Sequence, residues 1–178
     1  MSDWGEGAIN NNIGWGKGFD NNISWGSVYS VSSNGLTNIT GIAPAFKFTI
    51  NTSNTSTGSS TANQFKLPLV SSFNGITSIV DWGDGTSNTI TAFNQAEVTH
   101  TYASAGSYEI KISNACRGFQ FNAGGDRLKI INISDYGVLN INTSSTFNGC
   151  SNLTQSAYDY PLITSTSLEN TFRQCALF

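Results

Sequence analysis

Between residues 43 and 134, apolar and polar positions alternate in short runs. Phe46-Lys47-Phe48-Thr49-Ile50 and Gln64-Phe65-Lys66-Leu67 send every second side chain to one face, the period of a half-buried strand. Ile76–Trp82, Ser87–Phe93, Ser107–Ser113, Gly118–Asn122 and Leu128–Ile133 read as further strands. Gly83-Asp84-Gly85, Ala105-Gly106 and Gly124-Gly125-Asp126 mark the turns between them. Short strands with frequent turns predict a mainly β protein built on an antiparallel β-sandwich. Asn51 to Asn63 consists almost wholly of Asn, Ser, Thr, Gly and Ala, and predicts a long polar loop or mobile insert.

The flanks have different patterns. Residues 1–42 repeat a short unit: Trp4-Gly5-Glu6-Gly7-Ala8-Ile9-Asn10-Asn11-Asn12-Ile13 is followed by Trp15-Gly16-Lys17-Gly18-Phe19-Asp20-Asn21-Asn22-Ile23, and Trp25-Gly26 opens a third. So few aliphatic residues cannot bury three indoles locally. Trp4, Ile13, Trp15, Ile23 and Trp25 are therefore expected to anchor the chain in pockets of a partner or sister chain. Residues 135–178 repeat at a longer period. Thr146-Phe147-Asn148-Gly149-Cys150-Ser151-Asn152-Leu153 returns as Thr171-Phe172-Arg173-Gln174-Cys175-Ala176-Leu177. The spacing lies in the range of solenoid repeats. Phe147, Cys150, Leu153, Phe172, Cys175 and Leu177 are expected to point inward and stack turn on turn. The resulting division is 1–42, 43–134 and 135–178.

Composition strengthens the β reading and removes several functions. The chain of 178 residues holds 21 Asn, 24 Ser and 19 Thr but only 11% charged residues. Short polar side chains compete with helical hydrogen bonds and favour strands, turns and caps. Eight Lys and Arg against eleven Asp and Glu give a net charge of −3 with no basic run, so no nucleic-acid partner is expected. No apolar run approaches the roughly 18 residues of a membrane helix, and Met1–Asn12 lacks the basic and apolar regions of a secretion signal.

The candidate chemistry is sparse. Cys116, Cys150 and Cys175 are too few and too dispersed for a disulfide scaffold or a thiolate metal site, and read as small buried apolar residues. His100 is the only histidine and sits in a strand-like Thr-His-Thr-Tyr context without a G-x-S-x-G elbow, so no hydrolytic triad is expected. Asp81 and Asp84 form a weak calcium candidate, with a structural turn the stronger reading. No phosphate loop, no cofactor and no enzymatic activity is expected.

The order Asp81-Trp82-Gly83-Asp84-Gly85, Thr99-His100-Thr101-Tyr102, Gly106-Ser107-Tyr108 resembles the polycystic-kidney-disease-type domain, an immunoglobulin-like β-sandwich. That resemblance implies a core motif of Asp81, Trp82, Asp84, His100, Tyr102 and Tyr108, with His100 packed beside Trp82. The F-x-x-C-x-x-L units resemble leucine-rich repeats of bacterial surface proteins. The W-G-x-G-x-x-N-N-x-I units resemble the leader of virion proteins from tailed phages of the Bacteroidota, including crAss-like and flavobacterial phages. Together these resemblances imply a virion structural component: a fibre, an appendage or a surface decoration. Such a component would assemble in the host cytoplasm, contact capsid, collar or tail subunits, form homo-oligomers and meet a host glycan or receptor. A bacterial cell-surface adhesin or an accessory carbohydrate-binding module is the competing implication.

Overall fold

The computed structural model describes residues 28–32, 35–39 and 44–175. Trp4, Ile13, Trp15, Ile23, Trp25 and Leu177 lie outside the described residues. The chain divides into two compact units, Met1–Ile42 and Ala43–Phe178. In the first, β1 (Val28–Ser32) and β2 (Gly35–Ile39) pair antiparallel, with Val28 opposite Ile39 and Ser32 opposite Gly35.

The second unit contains β3 (Phe46–Asn51), β4 (Gln64–Lys66), β5 (Ser78–Asp81), β6 (Ser87–Ile90), β7 (Thr99–Thr101), β8 (Ser107–Ser113), β9 (Ile130–Asp135), β10 (Asn140–Ile141), β11 (Thr154–Gln155) and β12 (Leu162–Ile163). A six-stranded sheet runs β11-β9-β3-β8-β5-β6, and β4 pairs with β7 separately. Alternation in β3 buries Phe46, Phe48 and Ile50, while β8 buries Ile110 and Ile112 on the same side. Phe65 of β4 lies 6.0 Å from Phe48 of β3, ring centre to ring centre, so the small sheet packs over the large one. The arrangement is mainly β and consistent with a β-sandwich. Among the described residues no helix is long and apolar enough to cross a membrane.

Three expectations change. The sheet is mixed, because β11 joins β9 in parallel. The segment 118–122 is not a strand: Phe119 makes one isolated bridge to Leu69, and Gly118, Asn122 and Ala123 all take positive φ. The polar loop 51–63 is fastened rather than loose. Its Ser60 donates from backbone and hydroxyl to Asp126 at 2.7 and 2.6 Å, and its carbonyls ring the ammonium of Lys129.

From Cys116 onward the chain winds into stacked turns. Cys116 bridges Leu139 in parallel, and Asn140–Ile141 pairs in parallel with Leu162–Ile163. On a second side Asn132–Ile133 pairs with Thr154–Gln155. On a third, the amide of Phe121 donates to Thr146 at 2.9 Å and that of Phe147 to Thr171 at 2.8 Å. Polar side chains bind between the same turns: Thr154 to Asn132, Asn152 to the Leu128 carbonyl, Thr164 to Asn140. The stacking thus begins well before the repeat becomes visible in the sequence. Strand β9 serves both the six-stranded sheet and the stack.

Candidate functional site

The residues of the Asp-Trp-Gly-Asp-Gly motif come together around one aromatic column. The Trp82 and His100 rings stack at 4.7 Å and 8°, Tyr102 meets His100 edge-on, and Tyr108 stacks on Tyr102 at 3.8 Å. Each polar tip has a partner. Trp82 Nε1 donates to Asn88 at 2.8 Å, Tyr102 donates to the Trp82 carbonyl at 3.1 Å, and His100 Nε2 lies 2.8 Å from Asp84. The carboxylates fold the turn on itself. Asp81 accepts from the Gly83 amide, and Asp84 accepts from both the amide and the hydroxyl of Thr86. Partial burial opposes ionisation of Asp84, but the bonds from Thr86 and His100 outweigh it and hold its pKa below the ordinary value. With their oxygens directed at loop amides, Asp81 and Asp84 build a turn. Among the described residues no group of three or more His, Cys, Asp or Glu is placed to hold a metal ion.

The stack has an aromatic column of its own, whose last ring, Phe172, is 36% exposed rather than turned inward as expected. Phe119, Phe147 and Phe172 follow one another with ring centres 6.0 and 5.5 Å apart. Phe147, Cys150 and Leu153 are fully buried, and Cys175 reaches the Phe147 carbonyl at 3.1 Å. Burial pushes the thiols of Cys116, Cys150 and Cys175 above their usual range, which suppresses thiolate chemistry. All three are unbridged.

One charged pair is hidden from sequence patterning. Lys129 and Asp126 are buried at 3.4 Å, with both side chains fully covered. The ammonium reaches the carbonyls of Ser60, Thr61 and Gln64 and the Ser60 hydroxyl, while Asp126 also accepts from the Lys66 amide. Every donor and acceptor of the pair is occupied, so the cluster ties loop 51–63 to β9.

The surface feature that stands apart is an apolar groove of about 440 Å³ on the last turn of the stack. Tyr136, Tyr158, Asp159, Tyr160, Ile163 and Leu168 line it. Tyr158 is fully exposed and Tyr160 is 87% exposed. Their loop is tied down at Asp159. Asp159 accepts from the amides of Tyr136 and Gly137 at 2.9 and 2.7 Å, and Pro161 follows directly. Burial opposes ionisation of Asp159, yet these two amide bonds, together with a side-chain bond from Asp135, outweigh it and lower its pKa. Tyr136 behind them is pushed up to about 12 by burial. No motif announces this groove; the only trace is Tyr158-Asp159-Tyr160-Pro161 within a stretch rich in Ser and Thr.

Comparison with known protein families, with curated proteins and with solved structures finds no match to this chain. The functional reading therefore rests on the residues and their geometry. Exposed aromatic rings over an apolar groove suit binding, since each buries much area for only two side-chain torsions.

Proposed function

We propose that this chain is a non-enzymatic structural component of a tailed-phage virion, a fibre, appendage or surface decoration. Trp4, Ile13, Trp15, Ile23 and Trp25 anchor it to capsid, collar or tail subunits. A polycystic-kidney-disease-like sandwich and a leucine-rich-repeat-like stack are presented from that anchor. The observation that carries the reading is the order of three segments in one chain: Trp-Gly repeats, the Asp-Trp-Gly-Asp-Gly domain, then the F-x-x-C repeat. Two features support it. The sandwich and the stack share β9, which suits a stiff projecting part. The surface is solvated by hydroxyls and amides, which suit contacts with glycans and coat subunits. The test is a phage carrying Trp4→Ala, Trp15→Ala and Trp25→Ala together. Particles that assemble but lack this protein are expected; particles that retain it in normal amount overturn the anchoring role.

The groove at Tyr158 and Tyr160 favours a second reading, that of an accessory carbohydrate-binding module or cell-surface adhesin. Glycan-array binding abolished by Tyr158→Ala with Tyr160→Ala, in a chain absent from purified particles, would establish it.

A further inference from the structure

The order of the polar loop before β4 has no apolar source. From 53 to 64 no residue is buried, and the segment consists of Asn, Gln, Ser, Thr, Gly and Ala. Polar contacts alone therefore offset the entropy of fixing it. Many of those contacts converge on one atom. The Lys129 nitrogen has the carbonyl oxygens of Ser60, Thr61 and Gln64 at 3.0, 2.9 and 2.8 Å, the Ser60 hydroxyl at 2.7 Å and an Asp126 carboxylate oxygen at 3.4 Å. Each of these oxygens is an acceptor toward it, because the Ser60 hydroxyl gives its own proton to Asp126. An ammonium carries only three protons. Five oxygens gathered around three protons resemble the shell of a spherical cation more than a set of paired hydrogen bonds. Burial pulls the pKa of Lys129 down against the raising effect of Asp126. A neutral amine would nevertheless turn a lone pair on this ring of acceptors, so the protonated form is the one that fits. Without a positive charge at the centre, the carbonyl dipoles and the carboxylate would face one another away from water.

We infer that residues 60–64 and Asp126 form a binding site for a monovalent cation, which Lys129 fills with its own ammonium and which takes a free potassium or ammonium ion when the lysine side chain is withdrawn. The distances select the class of ion. At 2.7 to 3.0 Å the four nearest oxygens stand farther off than the about 2.3–2.6 Å of calcium or 2.0–2.1 Å of magnesium. Backbone carbonyls are also the ligands that replace the hydration shell of potassium in a protein. Charge selects in the same direction. Asp126 balances one positive charge, whereas a divalent ion would leave an uncompensated charge in a buried site. In the native chain the cation is covalently attached, so the loop keeps its order whatever salt surrounds it. The inference concerns the chain alone and is independent of the virion reading.

The test uses the full chain with Lys129→Ala, which removes the ammonium and its stem, and with Lys129→Met, which removes the charge but keeps an apolar stem. Hydrogen exchange of the peptide covering 53–64 is followed in potassium, ammonium or tetramethylammonium chloride at about 0.5 M. Tetramethylammonium has the same charge but is too bulky for the ring and carries no N–H. The parent is expected to be equally protected in all three salts. Lys129→Ala should lose at least about tenfold in protection in tetramethylammonium and regain at least about fivefold in potassium or ammonium, as a Kd near about 0.1 M gives. Lys129→Met should regain nothing, and adding Asp126→Asn to Lys129→Ala should abolish the gain. Equal protection of Lys129→Ala in the three salts overturns the inference, whether it is as high as the parent's or uniformly low. So does a gain shared by Lys129→Met, which is a general salt effect. If Lys129→Ala unfolds, circular dichroism in the same salts decides. Refolding in potassium or ammonium but not in tetramethylammonium supports the site, and a chain unfolded in all three overturns it.

Discussion

At Gly83 the chain uses the absence of a side chain. Its φ is +79°, and a Cβ there would overlap the carbonyl of Glu109 on β8. The close approach is what seats Trp82 over His100 and lets Tyr102 reach the Trp82 carbonyl. Gly83→Ala would suffer both a left-handed backbone and a backbone collision. We expect a loss of about 2 kcal/mol or more, read as a lower urea midpoint at unchanged slope. A midpoint within error of the parent would mean that the turn relaxes freely, and that the aromatic column does not depend on it. This site was legible because its residue types are distinctive: Trp, Gly and Asp in a tight order, then His and two Tyr. Lys129 was not. A single lysine near the start of an apolar strand carries no periodic signal, and its burial depends on Asp126 and on the carbonyls of Ser60, Thr61 and Gln64, some 65 to 69 residues away.

Among the elements, the strands read from alternation persist where both neighbours in the sheet agree with it. Ser107–Ser113 is found as expected, and Phe46–Ile50 gains only Asn51. Elements defined by contact with a distant turn were not readable. β10, β11 and β12 are two residues each, too short to show a period, and exist because the turn before them offers a ladder. The β1–β2 hairpin did have a signal, Asn34-Gly35 between Val- and Leu-containing runs, masked by the louder Trp-Gly repeat. The loop at 157–161 likewise follows from one carboxylate. Asp159 is ionised more readily in the folded chain than the ordinary value of 3.8 implies, because the amides of Tyr136 and Gly137 and the side chain of Asp135 outweigh its partial burial. Its stabilising contribution is therefore full above that value and lost as pH falls through the lower folded value. Asp159→Asn should lower the urea midpoint above about pH 4, and the gap to the parent should close on further acidification. A gap that stays constant with pH would show that the loop needs only a neutral acceptor.

For the whole second unit, β9 decides whether the sandwich and the stack unfold as one body. Ile130 and Ile133 are fully buried, β3 flanks β9 on one side, and β11 pairs with it on the other. A repeat stack standing alone propagates order only between neighbouring turns and frays from its ends. Here the first turn is part of a sheet with long-range antiparallel pairing, so loss of the sheet removes the template for the turns. Ile133→Ala removes buried methyl groups from the shared strand and should cost about 2–5 kcal/mol. Hydrogen exchange read by mass spectrometry separates the alternatives. If the unit is cooperative, the peptides covering Phe46–Asn51 and Phe147–Leu153 lose protection by the same free energy in the variant. If the stack is energetically separate, the peptide at 147–153 changes while that at 46–51 keeps the parent's protection. The bonds across β9 favour the first outcome: the Asn51 amide reaches the Lys129 carbonyl at 2.7 Å from one side, and the Ser156 amide reaches that of Ile133 at 2.8 Å from the other. A change at the centre of that relay is transmitted to both layers.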